Sequence, residues 1–240
     1  MPSIYDLKPR FQALLRPLAA WLARAGISAN AVTSAALLLS IAHGAWMAIM
    51  PGSRWPLLLL PVTLFVRMAL NAIDGIMAKE HGQASPEGAV LNELSGVIAD
   101  AALYLPFALI PGVSAGFVVV VVVTGIIAEM TGALGPMLGV KRNYAGPGGK
   151  SDRALAFGLL AILLGAGIEP GSWSTLYLQL LFGLTPRPTG ARNDPPPRHP
   201  RERGHRHARR LGAAHPGYDR RGRAPLAQSW HALRLSLIHI

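Results

Sequence analysis

"NAIDGIMAKEHGQASPEGAVLNELSGVIAD", residues 71–100, decides how this chain is read. It follows the apolar run "WPLLLLPVTLFVRMAL" (55–70) and leads into "AALYLPFALIPGVSAGFVVVVVV" (101–123). Asn71, Asp74, Asn92, Glu93 and Asp100 therefore stand at or inside the ends of two long apolar segments. Carboxylates at such depth are costly, and here they are set at helical spacing with Gly75, Ala78 and Gly88 among them.

Working outward, the chain holds several nearly uncharged runs of ~20 residues, enough to cross about 30 Å of hydrocarbon. Spans are expected near 31–50, 55–74, 88–110, 113–138 and 153–168, while a sixth begins at 173–185 and stops short. The valine run 118–123 has the composition of a strand, but a lone strand in lipid leaves its backbone polar groups unpaired, so it reads as helix. Ahead of the first span, residues 4–24 place Ile4, Leu7, Phe11, Leu14, Leu15, Leu18 and Leu22 on one helical face. Lys8, Arg10, Arg16 and Arg24 surround that face, the pattern of a helix lying on a leaflet. Pro9 and Pro17 are expected to break it into pieces, and "SAN" at 28–30 offers capping side chains to the first span. The expected fold is thus an all-α membrane protein. It has an N-terminal interfacial amphipathic helix (1–28), a transmembrane bundle of six helices with the sixth truncated (29–184), and a basic tail (185–240).

The formal charge of +11 belongs almost wholly to that tail, which holds 12 arginines and no lysine against 3 acids. Residues 1–184 carry 11 Lys/Arg against 9 Asp/Glu, so no nucleic-acid partner is expected. Arginine without lysine, a span interrupted midway and the closing "LSLIHI" read as GC-rich DNA translated out of frame into a sequencing adapter. Residues from about 186 onward are therefore left out of functional reasoning. In the remainder, basic residues cluster in the N-terminal segment, the 75–87 connection and 139–153, whereas the opposite loops carry only Arg54. The positive-inside rule puts the polar stretch on the cytoplasmic side. With no cysteine in the chain, disulfides and thiolate metal sites are excluded.

At ~100° per residue, Arg67, Asn71, Asp74, Gly75 and Ala78 fall within about 100° of arc, and Gly88, Asn92, Glu93, Gly96 and Asp100 within about 140°. Two such arcs can face one another. Amides and small residues often glue membrane helices together, which accounts for Asn71 or Asn92 alone. It does not account for Asp74, Glu93 and Asp100, whose charge exceeds what Arg67 can balance. A hard divalent cation, Mg²⁺ or Mn²⁺, would balance the excess with oxygen ligands, and the small residues would admit a ligand close to the backbone.

The stretch resembles the signature of the CDP-alcohol phosphatidyltransferase family, D-x2-D-G-x2-A-R-x8-G-x3-D-x3-D; here it reads N-x2-D-G-x2-A-K-x8-G-x3-N-x3-G. Asp74, Gly75, Ala78 and Gly88 match, with the eight-residue gap kept. The resemblance implies transfer of a phosphatidyl or similar phosphoalcohol group from a CDP-linked donor, such as CDP-diacylglycerol, to an alcohol. CMP leaves, and the product enters phospholipid biosynthesis. It implies divalent ions held by Asp74, Asn71, Asn92 and Asp100, and a nucleotide site formed by Gly75, Ala78, Lys79 and Gly88. A homodimer and a bacterial cytoplasmic (inner) membrane location, with the site facing the cytoplasm, follow as expectations. Asn71 and Asn92 replace two aspartates, Lys79 replaces arginine, and Gly96 stands where the family places its general base. Asp100 and Glu93 are the acids left to act in catalysis, and fewer charges should mean weaker metal binding or a single ion.

The glycine-rich "YAGPGGKSDR" (144–153) has Tyr144 where a Walker loop needs glycine and no strand ahead of it, so an ATPase loop is rejected. Lys150 and Arg153 are candidates for binding an anionic acceptor or headgroup, and Glu129 is an intramembrane acid expected to face a cavity. His43 reads as a helix–helix hydrogen bonder. Two other classes remain open: a catalytically impaired relative that still binds CDP-lipid, favoured by Gly96, and a cation or proton transporter relaying through Glu93, Asp100 and Glu129. The latter lacks the internal repeats expected of transporters.

Overall fold

Each long apolar run sets the length of its helix, because in lipid the backbone must satisfy its own hydrogen bonds. The computed structural model describes residues 4–134 and 149–184, with side chains from Arg10 onward; among these residues there is no strand. The helices are α1 (Ile4–Arg24), α2 (Ala29–Ile49), α3 (Arg54–Glu80), α4 (Pro86–Tyr104), α5 (Ala115–Leu134), α6 (Lys150–Gly165) and α7 (Ser172–Leu184), and a 3-10 segment, Leu105–Leu109, extends α4. Four of these segments are long and apolar enough to cross a membrane: Ala29–Ile49, Arg54–Glu80, Pro86–Leu109 and Ala115–Leu134. The described parts of α6 and α7, 16 and 13 residues, are shorter and rise about 24 and 20 Å at 1.5 Å per residue. Of the six expected spans, four meet that length and apolarity among the described residues, and α6 and α7 stand at the places of the fifth and sixth as shorter apolar helices. The tail from 185 lies outside the described residues.

The burial pattern suits lipid. Large apolar side chains such as Leu38, Leu59, Val62, Phe65, Ile98 and Ile127 are exposed, while Ser40, His43, Thr63, Arg67, Asp74, Asp100 and Arg153 are buried. In water such an apolar surface would be an aggregation hazard; in hydrocarbon it faces its own kind. The core between the helices is built on Leu57, Leu60, Leu103, Tyr104, Phe107, Val118, Val121, Phe157 and Leu178. Tyr104 and Phe157 stack with centroids 4.3 Å apart.

α1 is one continuous helix through both Pro9 and Pro17, contrary to the expected breaks. Its Leu15, Ala19 and Leu22 join Val32, Ile73, Ile76 and Met77 in a second cluster, and Phe11 meets Phe65 edge-on at 5.9 Å. Packing on α3 supports the rod along its length. Leu14, Leu18 and Trp21 remain exposed on the other side.

α2 packs against both α3 and α4, which touch each other far less than either touches α2. His43 locks α2 to α3: its Nε2 donates to the Pro56 carbonyl (3.0 Å), so Nδ1 accepts from the Thr63 hydroxyl (2.9 Å). This is the helix-to-helix role expected for His43. On the other flank, Gly44 lets α2 press against the Ala102 carbonyl of α4, where a Cβ would overlap that oxygen. α6 then packs on α3, bringing its first turn beside the polar faces of α3 and α4.

Candidate active site

Asp74 ends up buried on α3, one turn before the helix leaves the apolar segment. Its Oδ2 accepts a 2.8 Å hydrogen bond from the Thr33 hydroxyl of α2. The same hydroxyl lies 3.1 Å from the Ala29 carbonyl. It has one proton, and the shorter, charge-assisted contact to the carboxylate is the stronger use of it. Thr33 is absent from the sequence-based candidates; it stands one helical turn after Asn30, a polar pair on one face at the start of the span. Gly75, next to Asp74, has nothing within 4 Å of where a Cβ would stand, so the surface beside the carboxylate is open.

Gly88 is a different kind of glycine. A Cβ there would lie 2.7 Å from Asn30 Oδ1 and 3.1 Å from Ser85 Oγ, so in this structure its missing side chain makes room for α2. The link is part of a seam: Gln83 Oε1 accepts from the Ala29 amide at 2.6 Å, and Ser28 caps α2 by accepting from the Ala31 amide at 3.1 Å. The α3–α4 connection is thus tied to the start of α2. Asn71 lies one turn before Asp74 and is half-buried, as are Ala78 on α3 and Asn92 and Glu93 on α4; Lys79 is exposed at the end of α3.

Asp100 does not join Asp74. Both its oxygens accept from guanidinium groups: Oδ1 from Arg67 at 2.6 Å and Oδ2 from Arg153 at 3.2 Å. Arg67 also donates to the Gly96 carbonyl at 2.9 Å, bridging α3 to α4. Arg153 pairs in addition with Glu129 of α5, and Lys150 Nζ lies 3.8 Å from the other Glu129 oxygen. Gly125 makes this possible: a Cβ there would sit 2.8 Å from Arg153 Nε. Two arginines and two acids, nearly all out of solvent, balance one another, as buried ions must. The sequence offers Asp100 for catalysis and metal binding and Arg153 for an anionic ligand; in this structure both side chains take part in a salt-bridge network. Spacing along one helix could not reveal this, because Arg153 arrives from α6, 53 residues away. The same network neutralises two of the three acids that a proton relay would need.

Among the described residues, no three His, Asp or Glu side chains gather where they could hold a metal. Of the four motif positions that would be aspartate, only Asp74 is a carboxylate, with amide oxygens available from Asn71 and Asn92. Such a set suits one Mg²⁺ or Mn²⁺ that takes its remaining ligands from substrate phosphates, and does not suit two ions. A cleft of about 330 Å³ at the opposite end of the bundle, lined by Pro51, Leu57, Ile110, Leu164 and Glu169, holds none of the motif residues.

Comparison with known proteins identifies the family and the fold. The sequence profile of the CDP-alcohol phosphatidyltransferase family matches residues 26–185, which include every residue of the motif. Inner membrane protein YnbA of Escherichia coli (strain K12) is 43% identical over 174 residues, covering 72% of this chain and 86% of that protein. Among solved structures, Mycobacterium tuberculosis phosphatidylinositol phosphate synthase with CDP-DAG bound superposes with a TM-score of 0.59 at 20% identity. That match covers 70% of this chain and 85% of the other. The fold is shared with that synthase, and by motif and profile the chain belongs to the CDP-alcohol phosphatidyltransferase family.

Proposed function

We propose that this protein moves a phosphatidyl or related phosphoalcohol group from a CDP-linked lipid such as CDP-diacylglycerol to a small alcohol. The reaction releases CMP, serves phospholipid synthesis, and takes place at the cytoplasmic face of a bacterial inner membrane. One observation carries the reading: Asp74, buried and oriented by Thr33, adjoins the open face of Gly75 inside a retained D-G-x2-A segment. The basic loops on the 75–87 side and a relative named as an inner membrane protein support the orientation and the compartment.

In this reading Asp74 is the metal ligand, with the amides of Asn71 and Asn92 beside it. When bound, a divalent ion would neutralise charge that develops on the departing phosphate. Gly75 and Ala78 admit the nucleotide close to α3, and Lys79 attracts its phosphates from the end of that helix. The acceptor oxygen bonds to the lipid-bearing phosphorus, the bond from that phosphorus to the CMP oxygen breaks, and the acceptor's proton passes to a base. Glu93, half-buried on α4 next to the motif's Asn92, is the acid offered for that role in this reading. Asp100 and Arg153 hold α4, α5 and α6 together around the site. Lys150, at the mouth, meets the anionic part of the substrates. α1 lies on the cytoplasmic leaflet with Leu14, Leu18 and Trp21 in lipid.

The test is CMP release by the detergent-purified full chain, given labelled CDP-diacylglycerol, Mg²⁺ or Mn²⁺ and a panel of alcohols including glycerol phosphate, inositol phosphate and serine. Metal-dependent release that Asp74→Asn lowers by about 100-fold is expected, the scale of losing one positioned charge in a site of this kind. Absence of both release and CDP-lipid binding would overturn the proposal. A second reading, a relative that binds CDP-lipid without turnover, draws on glycine at position 96; it predicts binding in the same preparation with no CMP formed.

A further inference from the structure

Position 96 is filled in this structure, though not by its own side chain. A Cβ built on Gly96 would lie 2.5 Å from Lys150 Nζ and 3.8 Å from its Cε. The lysine arrives from the first residue of α6 and lies over the bare backbone of α4. Its ammonium is 3.8 Å from Glu129, whose other oxygen is held by Arg153, so Lys150 is not needed to neutralise that acid. Lys150 is also close enough to Asp74 for its charge to act on the carboxylate. Its side chain remains 42% exposed, so the ammonium can reach a ligand.

Charge balance gives the arrangement meaning. A pair of divalent ions brings four positive charges, which four aspartates would neutralise; here three of those four positions carry none. With Asp74 the one carboxylate left among those positions and an ammonium already resident, a second divalent ion would find neither the ligands nor the charge compensation that the missing aspartates would give. We propose that the Lys150 ammonium, housed in the space that Gly96 leaves open, replaces the second cation of the site and itself contacts the diphosphate of the bound nucleotide. The gap at 96 and the lysine at 150 form one device. The diphosphate part rests on the CDP-linked substrate proposed above; the replacement of an ion does not.

The experiment has two arms on the full chain in detergent. In the first, Mn²⁺ is titrated calorimetrically without substrate. The wild type is expected to bind one ion, Lys150→Met to bind it about tenfold more tightly, and Lys150→Arg to match the wild type, because only the nearby charge changes. The double variant Gly96→Asp with Lys150→Met is expected to take up a second ion. Two ions on the wild type, or a Lys150→Met affinity equal to the wild type's, would overturn the inference. In the second arm, CDP binding is measured in EDTA, with about tenfold weakening expected for Lys150→Met and recovery for Lys150→Arg. CDP affinity of Lys150→Met equal to the wild type's overturns the ammonium's contact and leaves the family reaction standing. Wild type that binds neither CDP nor CDP-diacylglycerol with or without metal, and releases no CMP, overturns the family reaction, and the Mn²⁺ arm then decides the ion replacement alone. Lys150→Gln serves as a second neutral variant should the methionine protein be poorly folded.

Discussion

Two aspartates 26 residues apart on neighbouring helices have opposite natures. Asp74 accepts one hydroxyl bond and adjoins an open glycine face; Asp100 is gripped by two arginines and is 3% exposed. Replacing Asp100 by Asn leaves two buried guanidinium groups facing one remaining acid, and breaking a buried pair in this way costs about 3–5 kcal/mol. Asp100→Asn should therefore abolish the folded protein, seen as loss of a monodisperse peak in detergent. Asp74→Asn should fold normally and lose CMP release; if both variants fold and only activity falls, the structural role of Asp100 is wrong. The glycines divide the same way. Gly125→Ala drives a methyl into Arg153 and should destabilise by about 1–3 kcal/mol, the cost of overpacking. Gly75→Ala meets nothing, so helix propensity should stabilise it by about 0.5–1 kcal/mol. Its expected defect is in CDP-lipid binding, and comparing thermal midpoints with binding constants separates the two effects.

Among the elements, α2 is the organiser. It carries Thr33 to Asp74, His43 to Thr63, and the close contact at Gly44 that sets α4 beside it. Its N-terminus is held from the other side of the site by Gln83, which accepts from the Ala29 amide and donates to the Ile27 carbonyl at 3.4 Å. Gln83→Ala removes a cap from α2 and should cost about 0.5–2 kcal/mol. Because the loss is local, hydrogen exchange should quicken at the start of α2 and in the 81–85 connection, with α5 and α7 unchanged. Uniform loosening of the bundle would contradict this account of the seam. α6 contributes less length than any of the four spans, but its first turn delivers Lys150, Asp152 and Arg153 together. Asp152 accepts from the Gly149 amide at 3.2 Å, which starts the helix where those charges are needed.

For the whole molecule, the exposed apolar shell and buried polar groups require a bilayer, and the cysteine-free sequence makes topology directly testable. A single cysteine at Ala84, in the α3–α4 connection, should react with an impermeant maleimide from the cytoplasmic side of sealed vesicles. One at Ser53, between α2 and α3, should react from the other side, because α3 crosses between the two positions. Both labelled from the same side would overturn the proposed orientation. The sequence alone determined that helices cross a membrane, roughly where they begin and end, and that Asp74 sits in a specific family motif. Those properties depend on hydrophobic run length and on spacing along one helix, both local. Only the tertiary structure decided what each acid does. Arg153 and Lys150 come from a helix distant in sequence, Thr33 and Asn30 from an earlier one, and Arg67 of α3 bridges to α4. Electrostatic partners are set by three-dimensional proximity in a medium that tolerates no unpaired charge, and sequence periodicity carries no record of that proximity.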